Sequence, residues 1–366
     1  MNAIINNILD FTGGEKFYRF GNADGKFWIM PARGMRTAMN LYQPSGSKGK
    51  MVKRLFPLLH RLTPVQRAIH AQVLHCQLKR ELHELLCKLF KVDDLEFSIF
   101  EGTPSASQKM TMQISCGKEL LGYCKISNDK KIFDLFRKEH DNLEWLKEKQ
   151  IKGIPHSLFC GNYNDLFLFA QSTAKTNGSK IPHEFTQMHR NFIEQTYKTT
   201  RTVMPLQQSD FYTGVKYLKS IINNIREKER PIFESGINII EKHYAGEENV
   251  FSFFHGDFTP WNMFVEKNEL FVFDFEFAGK SFPPRMDMIH FVLQAWILEK
   301  KLNADKIYPL LEEFKKRHSL SSALTVCYLV HILSFYFRLY NGNFDTNDNG
   351  YITWCALLRK QIEDIE

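Results

Sequence analysis

Residues 251–280 read FSFFHGDFTPWNMFVEKNELFVFDFEFAGK: two apolar runs of strand character around a loop, with carboxylates set among them. Asp257, Asp274 and Glu276 all lie between residues that read as β-strand. An unpaired buried charge costs several kcal/mol, so a chain that keeps three carboxylates here must offset them. A bound cation is the direct means of doing so.

The spacing fits one chemistry closely. His255, Asp257 and Asn262 form an HxDxxxxN pattern, and twelve residues after the asparagine the second strand ends in Asp274-Phe275-Glu276. Mg²⁺ takes oxygen ligands, one or two from protein and the rest from phosphate and water. Asn262 and Asp274 can supply such oxygens from neighbouring strand ends. Asp257 can accept a hydrogen bond from an attacking hydroxyl and take its proton late in phosphoryl transfer.

At these residues the sequence resembles the aminoglycoside phosphotransferase and choline kinase family, relatives of the protein kinases. HGDFTPWNM is similar to the family's catalytic segment, VFDFEFAG to its metal segment, and PPRMDMIHF, with Pro284 and Asp287, to its downstream Pro-x-x-Asp. The resemblance implies an α+β, two-lobed, protein-kinase-like fold, with a small antiparallel-sheet N-lobe and a mostly helical C-lobe. It implies that Asp257 is the catalytic base and that Asn262 and Asp274 bind Mg²⁺. His255 would support the loop by hydrogen bonding, Asp287 would cap a helix, and Glu276 would complete the metal segment. For ATP it implies a strand lysine, Lys125 in GYCKIS, paired with Glu139 in the next helix, with Glu144 as the alternative partner. The phosphate-covering turn would be EGTPSASQK (101–109), through Gly102 and Ser105, although it lacks a GxGxxG pattern. By order alone, Gln171 to Thr173 would meet the adenine edge. Motif support covers roughly residues 95 to 300.

The rest of the chain is consistent with that outline. The 366 residues suffice for two domains. Residues 17–31 suggest a β-hairpin, Thr63 opens a helical pattern that runs on through Leu89, and LEFSIF, KMTMQIS and LLGYCKIS suggest an antiparallel meander. A helix is expected from about Lys131 to Lys149, then two strands, HSLFCGN and DLFLFAQS. Beyond Ser172 the pattern is helical, near 183–199, 209–228, 231–244, 285–300, 304–317, 321–340 and 351–364, interrupted only by the strand pair at 251–274. The expected division is an N-terminal extension at 1–90, an N-lobe at 91–172 and a C-lobe at 173–366.

Charge is uneven. Residues 1–90 hold 14 Lys/Arg against 5 Asp/Glu, and the remainder 34 against 36. The segment MVKRLFPLLHRL within 48–67 is basic and amphipathic. It suits either packing on the small lobe or contact with an anionic membrane or glycan. No basic, stacking ladder points to nucleic acid. No run of eighteen apolar residues suggests a transmembrane helix, the N-terminus does not read as a signal peptide, and seven scattered cysteines suggest reduced thiols in the cytoplasm. Three other patterns fail on the residue that carries the chemistry. Asp345 to Gly350 begins like a calcium loop but meets Ala356 at its twelfth position. HEFTQMH has Gln187 where HExxH needs histidine, and SGSKGK lacks P-loop spacing.

The expectation is an ATP- and Mg²⁺-dependent kinase for a hydroxyl of a small molecule: a sugar or saccharide, an amino alcohol such as choline, or an aminoglycoside. The alternatives are a catalytically silent, nucleotide-binding relative and, with no room after DFE for a long activation segment, a protein kinase.

Overall fold

The alternation of inward and outward side chains in the first hundred residues builds more sheet than the sequence suggests. The computed structural model describes residues 3–22, 24–44, 46–103, 108–342 and 345–365. The chain forms two compact units. One comprises Met1–Glu148, Ile154–Lys180 and Glu266–Phe271; the other comprises Lys149–Gly153, Ile181–Val265 and Val272–Glu366.

In the first unit the order is α1 (Ala3–Ile8), β1 (Leu9–Gly21), β2 (Phe27–Pro31), α2 (Met35–Ala38), α3 (Ser47–Leu59) and α4 (Thr63–Ala68). There follow β3 (Gln72–Leu78), α5 (Arg80–Phe90), β4 (Glu96–Phe100), β5 (Met110–Cys116), β6 (Glu119–Ser127), α6 (Lys130–Glu148), β7 (Ser157–Tyr163) and β8 (Leu166–Ser172). Eight strands make one sheet in the order β3-β1-β2-β4-β5-β6-β8-β7, with every pairing antiparallel.

Two expectations are corrected here. Residues 63–89 are not one helix, because His70 takes a left-handed backbone (φ 52°) and Gln72–Leu78 pairs with β1. Leu74, Cys76 and Leu78 point inward on a period of two, a strand pattern that apolar residues at near-helical spacing on either side disguise. Nor do residues 1–90 form a separate extension. β1, β2 and β3 are three of the eight strands, and the segment belongs to the first unit as far as Glu148.

The sheet packs on both faces. One carries Phe17, Ile29, Phe97, Ile99, Met112, Ile114, Cys124 and Ile126 against Leu82 and Leu86 of α5. The other carries Tyr18, Phe20, Trp28 and Met30 against Met35, Ala38 and Phe56.

The second unit holds α7 (Gln187–Thr200), β9 (Thr202–Met204), α8 (Asp210–Ile221), α9 (Arg230–His243) and β10 (Asn249–Phe254). Next come β11 (Met263–Glu266), β12 (Glu269–Val272), β13 (Gly279–Phe282), α10 (Met286–Gln294, with a π turn to Glu299), α11 (Ala304–His318), α12 (Ser322–Leu339) and α13 (Asn349–Glu363). FSFF and LFVF, the two strands expected here, are β10 and β12, but they do not pair with each other: β12 pairs with β11, which the sequence did not suggest. The sequence did not suggest β9 and β13, which flank β10 in a three-stranded sheet. Ser209, Asn303, Ser321 and Asp348 cap α8, α11, α12 and α13 by accepting first-turn amides.

The expectation that no segment is long and apolar enough to span a membrane is also corrected. By length and composition the 18 residues of α12 qualify, but 61% of them are buried inside the protein, as in a core helix.

At the start of α7, Thr186 and His189 form a capping box, with the Thr186 amide donating to His189 Nδ1 at 3.0 Å. His189 is fully buried beside Phe185, Phe258 and Phe291, and that burial lowers its pKa to about 4. The folded protein therefore holds it neutral, while the unfolded chain takes up a proton below about pH 6.5. Stability is lost as pH falls from 6.5 towards 4, at up to about 1.4 kcal/mol per pH unit for this group. His189→Gln keeps a cap acceptor without the titration. Urea midpoints should show the variant's acid slope reduced by about that amount, and an unchanged slope would refute this account.

Candidate active site

Each unit carries one set of the polar side chains singled out in the sequence. In the first unit, alternation along β6 buries Cys124 and Ile126 on the α5 face and turns Lys125 to the opposite one. There Lys125 Nζ lies 2.5 Å from Glu139 Oε2 of α6, both groups being buried, and above the Phe169 ring at 5.8 Å. Glu144, the alternative partner, instead pairs with Lys147 at 3.1 Å, three residues on, where both are open to water.

On β8, Gln171 is buried with Oε1 lacking a hydrogen-bond partner in the structure. It pairs with Tyr123, two positions from the Lys125–Phe169 pair, so it shares the face of Lys125. The Thr173 amide donates to the Leu121 carbonyl at 3.2 Å, and its hydroxyl accepts from the Lys175 amide. Nothing in the sequence pattern singles out Lys175. Burial, and then Lys53 beside it, lowers its pKa to about 8. Gly102 has φ +91°, and a Cβ there would collide with the Lys109 carbonyl oxygen, so the turn after β4 requires glycine. Ser105 lies outside the described residues.

In the second unit, the loop after β10 is fixed by three contacts. The His255 amide donates to both carboxylate oxygens of Asp287, at 3.0 and 3.2 Å, and the Gly256 amide donates to the same carboxylate. The Asp257 amide donates to His255 Nδ1 at 3.2 Å, so the ring proton sits on Nε2 and is donated to the Phe273 carbonyl at 3.1 Å. The neutral ring thus ties the loop to the residue before Asp274. Burial lowers the His255 pKa to about 4, which holds that tautomer uncharged. Gly256 has φ +83° and passes so close to the Phe277 carbonyl that no Cβ fits.

These contacts present Asp257, whose side chain is 31% exposed where its neighbours are buried. Asn262 Nδ2 donates to Asp257 Oδ2 at 2.7 Å and to the Asp257 carbonyl at 3.1 Å. With Nδ2 committed, the asparagine offers its amide oxygen to a cation. Asp274 has φ 72°, an uncommon conformation for a non-glycine residue and one that functional sites often retain. Glu276 is buried beside it in sequence.

His290 has no role assigned from the sequence. It lies on α10 one turn beyond Asp287, buried, with Nε2 3.4 Å from Asp257 Oδ1 and Nδ1 without a partner. The i, i+3 spacing of Asp287 and His290 at a helix start was the signal that could have found it. Asp287 lies in the first turn of that helix, as expected, but its carboxylate serves the β10 loop, and Arg285 in a left-handed conformation precedes the helix.

No protein-family model matches the chain, and no curated protein matches it. Among solved structures it is similar to the aminoglycoside phosphotransferase APH(4)-Ia. A thermostable mutant in its apo form aligns with TM-score 0.51 and 12% identity, over 77% of this chain and 98% of that one. A ternary complex of that enzyme with ADP and hygromycin B aligns with TM-score 0.50 and 11% identity, over the same shares. A putative fructosamine-3-kinase from Haemophilus somnus 129PT aligns at 0.46 and 12%, over 78% and 96%. The chain has the kinase-like fold of these phosphotransferases, an antiparallel-sheet unit joined to a mostly helical one.

Burial outweighs the two amides that Asp287 accepts from and, with Asp257 adding a little, raises its pKa to about 7. Between about pH 4 and 7 the unfolded chain ionises this group before the folded protein does. Its contribution to stability therefore falls as pH rises, opposite in sign to His189. Asp287→Asn should be destabilised overall through loss of one acceptor. Its stability relative to the parent should nevertheless climb from pH 4 to 7, by up to about 1.4 kcal/mol per unit in urea titrations. A difference independent of pH would overturn the assignment.

Proposed function

We propose that the protein is an ATP- and Mg²⁺-dependent phosphotransferase acting on a hydroxyl of a small molecule. The observation that carries this reading is the Asp257 carboxylate, accessible, locked by Asn262 and mounted on a loop held by Asp287 and His255. Asp257 receives the hydroxyl proton as the acceptor oxygen bonds to the γ-phosphorus and the bond to ADP breaks. His290, 3.4 Å from the other carboxylate oxygen, orients it.

The donors suit Mg²⁺: the Asn262 amide oxygen and the Asp274 carboxylate would hold it, oxygen ligands both. When bound, the ion neutralises charge on the phosphates. Lys125, kept extended by Glu139, supplies a cation for triphosphate oxygens. The unpartnered Gln171 Oε1 is an acceptor for the exocyclic amine of adenine.

For the acceptor we favour a sugar or saccharide. Tyr336 stacks on Trp354 with centroids 4.9 Å apart, and burial, then the charge of Asp257, raises the Tyr336 pKa. Trp354 is buried and Tyr336 half-buried, so of this pair only the Tyr336 edge and hydroxyl are open to an acceptor. A similar fold holds hygromycin B beside ADP, which keeps an aminoglycoside in the comparison.

The test is ATP consumption by the full chain over a panel of sugars, amino alcohols and aminoglycosides, with Mg·ATP binding measured alongside. Acceptor-dependent turnover is expected, falling about 10²–10⁴-fold in Asp257→Asn while Mg·ATP still binds. Turnover that survives Asp257→Asn would remove this residue as the base. Binding of Mg·ATP without turnover on any acceptor would favour a silent nucleotide-binding protein, and no binding would end the kinase reading. Lys125→Ala should weaken Mg·ATP binding roughly tenfold or more, as expected for a charge-assisted phosphate contact. Unchanged affinity would remove that lysine from the site.

A further inference from the structure

In α3 Val52 and Phe56 pack on the sheet, but a second set of apolar residues faces away from it. Phe56 is its one fully buried side chain, set edge-on to Tyr18 and Phe20. Met51, Leu55 and Leu58 are 58%, 40% and 75% exposed, and Leu62, just beyond the helix, is 52% exposed. Spacings of four, three and four place them along one side of the helical path. Scattered single leucines on a surface are ordinary; an aligned row is not.

The surroundings are cationic. Lys48, Lys50, Arg54, Arg61 and Arg67 are exposed, and no carboxylate pairs with any of the five among the described residues. From Lys26 to Arg80 the 55 residues contain 11 Lys/Arg and no Asp or Glu. An apolar row bordered by unpaired cations matches an interface with anionic headgroups above an acyl layer. A second copy of the chain would set these cations against their like. A nucleic acid would take up the charge but leave the leucines without apolar contact, since such surfaces rely on aromatic stacking.

We propose that α3 and the turn to Leu62 dock the first unit peripherally on an anionic bilayer. Met51, Leu55, Leu58 and Leu62 enter the boundary between headgroups and acyl chains, and the five cations meet lipid phosphates. The proposal is independent of the phosphotransferase reading.

The test is co-sedimentation of the full chain with vesicles of phosphatidylcholine alone and of phosphatidylcholine mixed with phosphatidylglycerol. Binding to the mixed vesicles only, weakening as salt is raised, is expected. Leu55→Asp/Leu58→Asp alters side chains that already face water, so its Tm should stay near that of the parent while vesicle affinity drops about tenfold or more. Arg54→Gln/Arg61→Gln, which leaves the apolar row intact, should also weaken binding and reduce its salt dependence. Failure to bind the mixed vesicles, equal binding to phosphatidylcholine alone, or full binding by the leucine variant would each overturn the proposal. So would a dimer that the leucine variant splits, or binding to a polynucleotide in place of vesicles.

Discussion

The second unit is organised around a carboxylate that never meets solvent. Asp287, at the start of α10, accepts the amides of His255 and Gly256, and so fixes the point where β10 stops being a strand. From that anchor the order of events is set by geometry. The chain must turn through a positive φ at Gly256, the next amide finds His255 Nδ1, and the ring reaches the Phe273 carbonyl with its other nitrogen. Asp257 then emerges as the accessible member of a buried group. The arrangement uses burial twice, to hold His255 neutral so that it can bridge two backbone segments, and to press Asp287 towards its protonated form against the pull of its amides. A network satisfied in this way is rigid because each member has few alternatives.

The first unit solves a related difficulty differently. A lysine on a central strand would cost several kcal/mol if buried alone, and Glu139 meets it across the gap to α6. That pairing needs α6 at one height on the sheet. The stacked Phe133–Phe167 pair and the Phe136–Phe169 contact hold it there. Sheet register, aromatic packing and the ion pair are thus one structure, and the heavy use of phenylalanine serves the ion pair as well as the core.

What the sequence made legible follows from the strength of each local signal. Most helices beyond residue 183 carry an amphipathic pattern, a side-chain cap or an unbroken apolar run, and their positions differ from expectation by a few residues, except that the helix expected at 209–228 ends at Ile221. β3 was hidden because its seven residues lie between two helical segments, and Val65, Ile69, Val73, Leu78 and Leu82 recur across all three at near-helical spacing, so a period of two has little room to show. β9 and β13 are three and four residues long, too short for any periodicity, and exist because β10 offers both its edges. In the site, residues with a fixed spacing along the chain were found: Asp257 with Asn262, and Lys125 with Glu139. His290 was missed because its partner is 33 positions away and only the packing of α10 brings them together.

Two helices, α12 and α3, show why composition alone cannot assign a membrane role. α12 reads as the better candidate, long and nearly free of charge, yet tertiary packing closes over most of it, and Tyr328, Leu329, Val330 and Leu333 are entirely buried. α3 is shorter and interrupted by Pro57, with lysines and arginine spread along it, and averages out as polar. Leu55 and Leu58 nevertheless face water, because Phe56, with Val52 beside it, is enough to attach the helix to the sheet. Hydrophobicity measured along the chain counts what could be buried. A surface role depends on what folding leaves unburied, and in this protein the two quantities rank the helices in opposite order.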